Sequence, residues 1–326
     1  MERERSMLRI GLLGASKIAP TAILGPVSKS DAFVVTAVAA RDPARAKAYA
    51  EQHGISGVAD DYTALVQRAD VDVVYNGLPP AGHAEWTIAA LEAGKPVLCE
   101  KPFARNAGEA AQMVAAAERT GQALLEAFHY RHHIVMRRAK AIVDSGALGR
   151  LVKGEGVFNV GIARTPGELR WSAEQGGGGL MDLGCYPLHA LRTLIGAEPE
   201  VVGATATFVD GVDAEMSAAL RFPGGIEASV ACSMTVERPN AVVILTGAKG
   251  VMTIVNFLAP QIGCRFTTEI DGVTTTEPTE GPTTYEAQLE NLRAVLLDGV
   301  TPVTGGADAI ANMTAIDAIY RAAGRE

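Results

Sequence analysis

The segment Gly11-Leu12-Leu13-Gly14-Ala15-Ser16-Lys17-Ile18-Ala19 carries an apolar run into a turn of small residues whose spacing suits a bound phosphate. In the dinucleotide fingerprint G-x-G-x-x-G/A, the first glycine permits a tight turn. A small second residue lets backbone N–H groups and a helix N-terminus approach a pyrophosphate, and a small third residue lets helix pack on strand. Those positions fall on Gly14, Ser16 and Ala19, with Ser16 departing from the usual glycine. An ordinary strand–turn–helix joint also uses small residues, but position after the first strand of a β-α-β unit favours the cofactor. Gly11, Gly14, Ala15, Ser16, Lys17 and Ile18 are the expected cofactor contacts.

The second strand ends in Ala40-Arg41-Asp42-Pro43. An acid here would take the ribose 2′-OH of NAD, whereas arginine accommodates the 2′-phosphate of NADP. Asp42 directly before Pro43 reads as a helix N-cap with proline at the first helical position. Ala40 and Arg41 are left at the discriminating place, so NADP(H) is the expected cofactor, with NAD possible; Arg41 as a plain solvated charge is the alternative. Lys101 follows the apolar run Pro96–Cys99 at the carboxyl edge where open α/β sheets bind ligands. Tyr186 has Asp182 four residues before it and His189 three after. Within one helix the three would share a face. Pro187 fits best in a first turn, which predicts a helix start near Gly184 with Asp182 just outside. The cluster His129-Tyr130-Arg131-His132-His133 either enters a cleft or forms a polar hinge. Arg170-Trp171 precedes the glycine run Gly176–Gly179, which lets the chain turn tightly or simply flex. No acid/His spacing suggests a metal triad, and no metal is expected.

The elements that must hold these residues change character along the chain. Before about Tyr130, apolar runs at Met7–Leu13, Phe33–Ala40, Asp72–Leu78, Pro96–Cys99 and Leu124–Phe128 alternate with helical stretches at Pro43–His53, Ala81–Ala93 and Asn106–Thr120. Near-continuous apolar strands separated by helices predict a doubly wound α/β domain with a parallel sheet, over 1–130. Beyond it a helix, Val135–Ser145, precedes runs that alternate apolar and polar: Val201–Val209, Glu215–Phe222, Ile226–Met234 and Val242–Gly247. Short turns such as Pro223-Gly224-Gly225 predict an antiparallel sheet with one face on a core. Helices at Tyr285–Leu297 and Ala307–Ala323 close a second, α+β domain over 131–326.

Composition bounds the partners. The chain has 326 residues, 48% hydrophobic and 20% charged, enough apolar material for two cores. A net charge of −8 without a basic run argues against nucleic acid or an anionic membrane surface. The longest apolar run, Ile10 to Pro26, is broken by Ser16-Lys17 and falls short of the ~20 residues that span a bilayer. Acids among the bases of Met1–Ser6 argue against a signal peptide. The four cysteines are far apart and form no C-x-x-C pair, which reads as reduced thiols in a cytoplasmic protein.

At Pro96-Val97-Leu98-Cys99-Glu100-Lys101-Pro102 the sequence becomes specific. This E-K-P after a strand, with the opening glycine loop, resembles the glucose-fructose oxidoreductase / inositol dehydrogenase / rhizopine catabolism (Gfo/Idh/MocA) family over nearly the whole chain. Ala84–Gly94, Gly176–Tyr186 and Asn312–Tyr320 carry further likeness. Asp182-x-x-x-Tyr186 together with Lys101 is most similar to the NADP-dependent dihydrodiol and D-xylose dehydrogenase branch. The resemblance implies a Rossmann domain followed by an open-faced antiparallel sheet, an active site between them, and a homo-oligomer formed through that sheet. It also implies that Glu100, Lys101 and Pro102 border the nicotinamide and that Leu78 and His83 lie in a cofactor-facing region.

The implied reaction is hydride transfer between NADP(H) and a secondary alcohol or ketone of a sugar, polyol or diol. It needs a group to take the O–H proton. Tyr186 is the first choice, Lys101 either favours its phenolate or hydrogen-bonds the substrate oxygen, and Asp182 orients or tunes. His129, Arg131, Arg170, Trp171 and His189 are candidate substrate contacts. Each has a bland alternative: a core tyrosine, a solvated lysine, a capping aspartate, a packed tryptophan. Two rival functions share this fold, an NAD-dependent glycosidase working by oxidation and elimination, and a non-catalytic ligand sensor. Retention of Lys101, Asp182 and Tyr186 together argues against the sensor.

Overall fold

The computed structural model describes residues 7–325, so the reading of Met1–Ser6 lies outside the described residues. The chain forms two units. The first comprises the chain up to Ala127 together with Tyr285–Ile310, and the second comprises Phe128–Thr284 and the chain from Ala311. This differs from a linear division at 130/131 in two respects: the first boundary falls after Ala127, and a late segment returns to the first unit. Its Leu289, Leu292 and Val295 are buried in the same core as Ile10, Leu12, Tyr75 and Leu125.

In the first unit β1 (Leu8–Leu13) leads through a π-helical turn, Pro20–Leu24, into the short α1 (Gly25–Val27). There follow β2 (Phe33–Ala39), α2 (Pro43–His53), β3 (Gly57–Val58), α3 (Tyr62–Gln67) and β4 (Val73–Asn76). Then come α4 (His83–Glu92), β5 (Val97–Cys99), α5 (Ala107–Thr120) and β6 (Leu124–Glu126). The six strands are ordered β3-β2-β1-β4-β5-β6 and pair in parallel. Strand order reverses between β1 and β4, the switch point where such sheets open a crevice at their carboxyl ends. Side-chain caps fix helix starts, among them the expected one at Asp42 and another at Asn106. The Asp42 carboxylate accepts from the Ala44 N–H at 2.9 Å with Pro43 behind it, and the Asn106 side chain accepts from the Glu109 N–H at 2.9 Å. The sequence pattern did not reveal β3 or α3, which are short.

The second unit begins with α6 (Ile134–Asp144) and β7 (Leu151–Asn159). A π-helical turn, Leu180–Gly184, runs straight into α7 (Cys185–Ile195). The expected start near Gly184 is therefore right for the α-helical part only, and Asp182 sits inside a helical run. The wider turn lets Pro187, which lacks an N–H, enter without breaking the helix. Seven more strands follow: β8 (Glu200–Val209), β9 (Val212–Phe222), β10 (Ile226–Ser233), β11 (Asn240–Gly247), β12 (Gly250–Val255), β13 (Arg265–Ile270) and β14 (Val273–Thr276). The helices α8 (Thr284–Asp298) and α9 (Gly306–Ala322) close the chain.

The eight strands are ordered β14-β13-β12-β11-β7-β10-β9-β8. Every neighbour pair is antiparallel except β7 with β10, which run parallel at the centre. One face is core: along β9, Ala214, Met216, Ala218, Leu220 and Phe222 are buried while Glu215, Ser217, Ala219 and Arg221 are exposed. On the outer face Val157, Val242 and Val255 stand in register across β7, β11 and β12, each half-buried. The inner face carries α7. A Cβ on Gly156 would stand 2.8 Å from the Pro187 Cβ, and one on Gly154 would stand 3.2 Å from Leu191. These two glycines of β7 allow α7, and with it Tyr186, to lie directly against the sheet. No helix among the described residues is long and apolar enough to cross a membrane.

Candidate active site

At the carboxyl end of β1, Gly14 adopts φ +93°, which only glycine takes without strain. A Cβ there would press on the Leu78 Cδ2 at 3.0 Å and the Gly77 carbonyl oxygen at 3.4 Å, so the turn and the loop after β4 close on each other. Two side chains of α2 hold the next two carbonyls: Arg45 donates to the Ala15 oxygen at 2.7 Å, and the Tyr49 hydroxyl donates to the Ser16 oxygen at 3.0 Å. In a trans peptide the following N–H points the opposite way. The N–H groups of Ser16 and Lys17 are thereby turned from α2 towards the exposed lip formed by Lys17 and Ile18. Ser16 Oγ accepts from the Ala19 N–H at 3.3 Å, and Ala19 is fully buried, as the third position of the fingerprint requires. Small residues and backbone N–H groups turned from α2 are the chemistry a dinucleotide pyrophosphate asks of such a turn.

The end of β2 leaves Ala40 buried and Arg41 exposed, with Asp42 engaged as an N-cap. Arg41 and Arg45 both lie near the Tyr62 hydroxyl, where their charges oppose the upward push that burial gives its pKa. Two guanidinium groups thus gather at the end of β2. Sequence reasoning missed Arg45; its signal is its place one turn into the helix that follows Arg41.

Lys101 follows β5, and its peptide bond to Pro102 is cis. The segment around it is held on several sides within the first unit. The Tyr75 hydroxyl, buried, donates to Glu100 Oε1 at 2.7 Å, and the Lys101 N–H donates to Glu100 Oε2 at 3.3 Å. The Phe103 N–H donates to Glu126 Oε1 at 3.0 Å. His83, expected at the cofactor surface, is instead fully buried. Its Nδ1 lies 2.9 Å from the Pro102 oxygen and its Nε2 2.8 Å from the Leu78 oxygen. Burial lowers its pKa, against the carbonyl contacts that raise it. His83 therefore ties the Leu78 loop to the Lys101 segment rather than presenting an edge to a ligand. Asn76, also missed, braces the same loop: its side chain donates to the His83 oxygen and to Thr87 Oγ1, at 3.2 and 3.1 Å.

In the second unit the residues after β6 fold into a 3-10 turn, His129–His132, against α7. Tyr186 Oη lies 3.3 Å from His129 Nε2, and His129 Nδ1 lies 2.8 Å from Thr284 Oγ1. The Tyr186 ring meets Phe128, His129, Tyr130 and Phe158 edge-on at centroid distances of 5.4 to 5.8 Å. These contacts fix the phenol ring and leave its hydroxyl at the polar end of the cage. His189 does not join that end. It is fully buried, stacked on Phe128 at 4.1 Å, and its Nδ1 lies 2.6 Å from the Tyr130 hydroxyl. Held in this way, His189 supports the cage. His132 is buried as well, its pKa pushed down to about 3 by burial first and then by the charges of Arg131 and Arg137. Arg131 itself is partly exposed on the same turn.

Asp182 and Arg170 are brought together: the Arg170 Nε donates to Asp182 Oδ2 at 2.7 Å, and a second guanidinium nitrogen pairs with Glu168 at 3.0 Å. Trp171 donates its indole N–H to the Ile162 oxygen at 3.0 Å and lies under the Arg164 guanidinium at 5.3 Å. The helical run bearing Asp182 and Tyr186 is anchored by a residue the sequence did not single out. Asp213, fully buried, accepts from the Leu180 N–H at 2.6 Å and from the Tyr320 hydroxyl at 2.7 Å. A Cβ on Gly178, φ +133°, would collide with the same carboxylate. The glycine run is thus a close approach rather than a loose loop.

Comparison with known proteins agrees with this architecture. Residues 8–128 match the model of an oxidoreductase family with an NAD-binding Rossmann fold, and residues 136–253 match a GFO/IDH/MocA C-terminal domain. The chain is 32% identical to a D-xylose 1-dehydrogenase (NADP(+)) of Haloferax volcanii, over 97% of each protein. It is 36% identical to the trans-1,2-dihydrobenzene-1,2-diol dehydrogenase of Sus scrofa, over 76% of this chain and 74% of that enzyme. Among solved structures, an aldose-aldose oxidoreductase of Caulobacter crescentus bound to glycerol superposes with a TM-score of 0.89, at 29% identity and 98% coverage of both chains. A 3-ketoreductase of Actinomadura kijaniata, in complex with NADP and TDP-benzene, gives 0.88 at 27% identity, covering 97% of this chain and 98% of the other.

Proposed function

The chain belongs to the Gfo/Idh/MocA oxidoreductase family, and on that premise we propose that it is an NADP(H)-preferring enzyme acting on a secondary alcohol of a sugar, polyol or diol, or on the matching ketone. The observation that carries this reading is Tyr186, a phenol fixed by four aromatic neighbours with its hydroxyl beside His129. Such a group can hold or release one proton at one atom, which is what alcohol–ketone interconversion demands. Bound at the Gly14 turn, the cofactor supplies the hydride acceptor or donor. Gly14, Ser16 and Lys17 would hold its pyrophosphate, with Arg41 and Arg45 at its 2′-phosphate.

Tyr186 exchanges the proton of the reacting hydroxyl. Lys101 contributes an ammonium that favours the phenolate or holds the substrate oxygen, and the Glu100–Tyr75 pair fixes the backbone that carries it. Asp182 acts with Arg170 as a salt-bridged pair that orients substrate hydroxyls and the start of the helix. Arg131 and Trp171 are further substrate contacts. The named relatives support this substrate class: one acts on D-xylose with NADP, one on a trans-dihydrodiol, and a structural neighbour on a keto group. Four cysteines present as thiols, three of them buried, support a reducing, cytoplasmic location. The half-buried valines on the outer sheet face support a homo-oligomer formed there. The test is a screen of aldoses, polyols and diols with each oxidised cofactor, following nicotinamide absorbance. Turnover of any of them with NADP supports the reading. Release of an aglycone from a glycoside without net cofactor reduction would replace it with the glycosidase.

A further inference from the structure

We infer that His129 is the proton-relay partner of Tyr186, and that Thr284 sets the tautomer in which His129 can serve. The inference deepens the proposed function and rests on Tyr186 being the proton-transfer group. Three residues far apart in sequence form one line: Tyr186 Oη, 3.3 Å to His129 Nε2; His129 Nδ1, 2.8 Å to Thr284 Oγ1. Each comes from a different element, α7, the turn after β6, and the first residue of α8. His129 is 6% exposed and Thr284 fully buried. A neutral imidazole has one donor and one acceptor nitrogen, and the bond made by one decides the role of the other. With the Nδ1 proton donated to Thr284, Nε2 presents its lone pair to the phenol.

The step balances as follows. During oxidation the substrate O–H bond breaks and its proton bonds to Tyr186 Oη, while the phenol's former proton crosses to His129 Nε2. The carbon's hydrogen leaves with the electron pair to the oxidised dinucleotide, and a ketone remains. One proton stays on His129 as an imidazolium, whose Nδ1–H still donates to Thr284, until it is lost to water. Reduction runs the same line backwards. Two exposed charges would not need such a route, but Tyr186 is 6% exposed inside an aromatic cage. The neighbouring pair Tyr130–His189 has similar chemistry without the role, because its imidazole is stacked flat on Phe128 and fully enclosed. Ionisable groups that face His129 include Tyr186 on α7 and Tyr130 on its own turn, where Arg131 and His132 follow.

The test combines a spectroscopic and a kinetic arm. In protein labelled with ¹⁵N-histidine and free of cofactor, the His129 resonances should report the Nδ1–H tautomer. The Nε2 resonance should move in Tyr186→Phe, and Thr284→Val should mix the tautomers. In steady state, His129→Gln and Thr284→Val should each lower kcat for alcohol oxidation, the former by ~10-fold or more, with cofactor KM unchanged. His129→Gln should also lose the low-pH limb of the kcat profile. Thr284→Val nearly preserves shape, so it and the wild-type spectrum decide the matter if His129→Gln does not fold. An Nε2–H tautomer in the wild type overturns the relay. So does a His129→Gln enzyme with normal kcat and pH profile beside an inactive Tyr186→Phe, which leaves the role of Tyr186 standing. A fully active Tyr186→Phe overturns both.

Discussion

The Tyr186 hydroxyl stands 3.3 Å from His129 Nε2, at a polar corner of a ring that Phe128, Tyr130 and Phe158 meet edge-on. The cage recognises the ring and not the oxygen, so Tyr186→Phe should keep the packing, the melting temperature and the cofactor affinity. Its kcat should fall by ~10²–10⁴, the usual worth of general acid–base catalysis. Lys101→Met should lower kcat too. If the two residues act as a unit, the double mutant should be little worse than the poorer single one. Additive losses in the double mutant would show that they act independently.

Cofactor choice should follow the two arginines at the end of β2. Arg41→Ala and Arg45→Ala should each weaken NADPH binding by about tenfold, the effect of losing roughly 1.4 kcal/mol of charge-assisted contact, and Arg41→Ala should leave NADH binding little changed. Arg45 has a second job, since it holds the Ala15 carbonyl at 2.7 Å. Arg45→Ala should therefore cost some NADH affinity as well, and Arg41→Ala none. Fluorescence titration with both reduced cofactors separates the two. Equal loss of both cofactors in Arg41→Ala would remove it from the 2′-phosphate.

Acid should destabilise the protein through His132. In the folded state its pKa is pushed down to about 3, chiefly by burial, against about 6.5 in an unfolded chain. A base whose folded pKa is depressed binds fewer protons when folded, so stability is full above pH ~6.5 and is lost as pH falls towards 3. The loss should amount to a few kcal/mol at the acid end. His132→Gln should flatten that part of the stability curve relative to wild type, whatever its own stability at neutral pH. Urea denaturation between pH 4 and 8 reads both slopes, and parallel curves would exclude His132 as the acid-sensitive group.

The parallel sheet was legible because its strands are continuous apolar runs punctuated by amphipathic helices, and because Asp42 before Pro43 marks the start of one of them. The second sheet was legible only where apolar and polar residues alternate, as along β9. Its central strand β7 was missed: Gly154 and Gly156 break the hydrophobic pattern, and the reason they are glycine is a helix thirty residues downstream. The return of Leu289, Leu292 and Val295 to the first core is likewise a long-range fact that no local pattern announces. At the candidate site, motif positions were readable but supporting contacts were not. The resemblance put His83 in a cofactor-facing region, and its place three residues after Tyr186 made His189 a candidate substrate contact. Their two buried hydrogen-bonding roles depend on carbonyls and a phenol brought close only by folding.

The outer face of the second sheet should be where copies of the chain meet. Val157, Val242 and Val255 lie in register across three neighbouring strands, and an apolar row on an uncovered sheet is a surface that water disfavours. A charge in the middle of a self-complementary contact meets its own copy or sits unpaired in an apolar patch. Val242→Lys should therefore shift the protein to a smaller species in sedimentation at micromolar concentration, with the far-UV spectrum unchanged. A wild-type monomer under the same conditions would dispose of the interface.

Gly156→Ala should damage activity from a position that carries no chemistry. The added Cβ would stand 2.8 Å from the Pro187 Cβ and 3.2 Å from the Pro187 carbonyl oxygen, closer than packed atoms tolerate. Pro187 is the residue after Tyr186, and its ring and backbone cannot swing aside as a flexible side chain would. Relief must come from displacing α7 off β7, which costs about 1–3 kcal/mol as overpacking. It must also move the Tyr186 hydroxyl relative to His129. Catalytic geometry is sensitive to shifts of an ångström, so kcat should drop by ~10-fold or more while cofactor affinity, set in the other unit, stays near wild type. Gly203→Ala in β8 is the matched control, because a Cβ there meets nothing within 4 Å. It should leave both stability and kcat close to wild type. If Gly156→Ala lowers the melting temperature but leaves kcat intact, the contact between β7 and α7 supports the fold without setting the position of Tyr186.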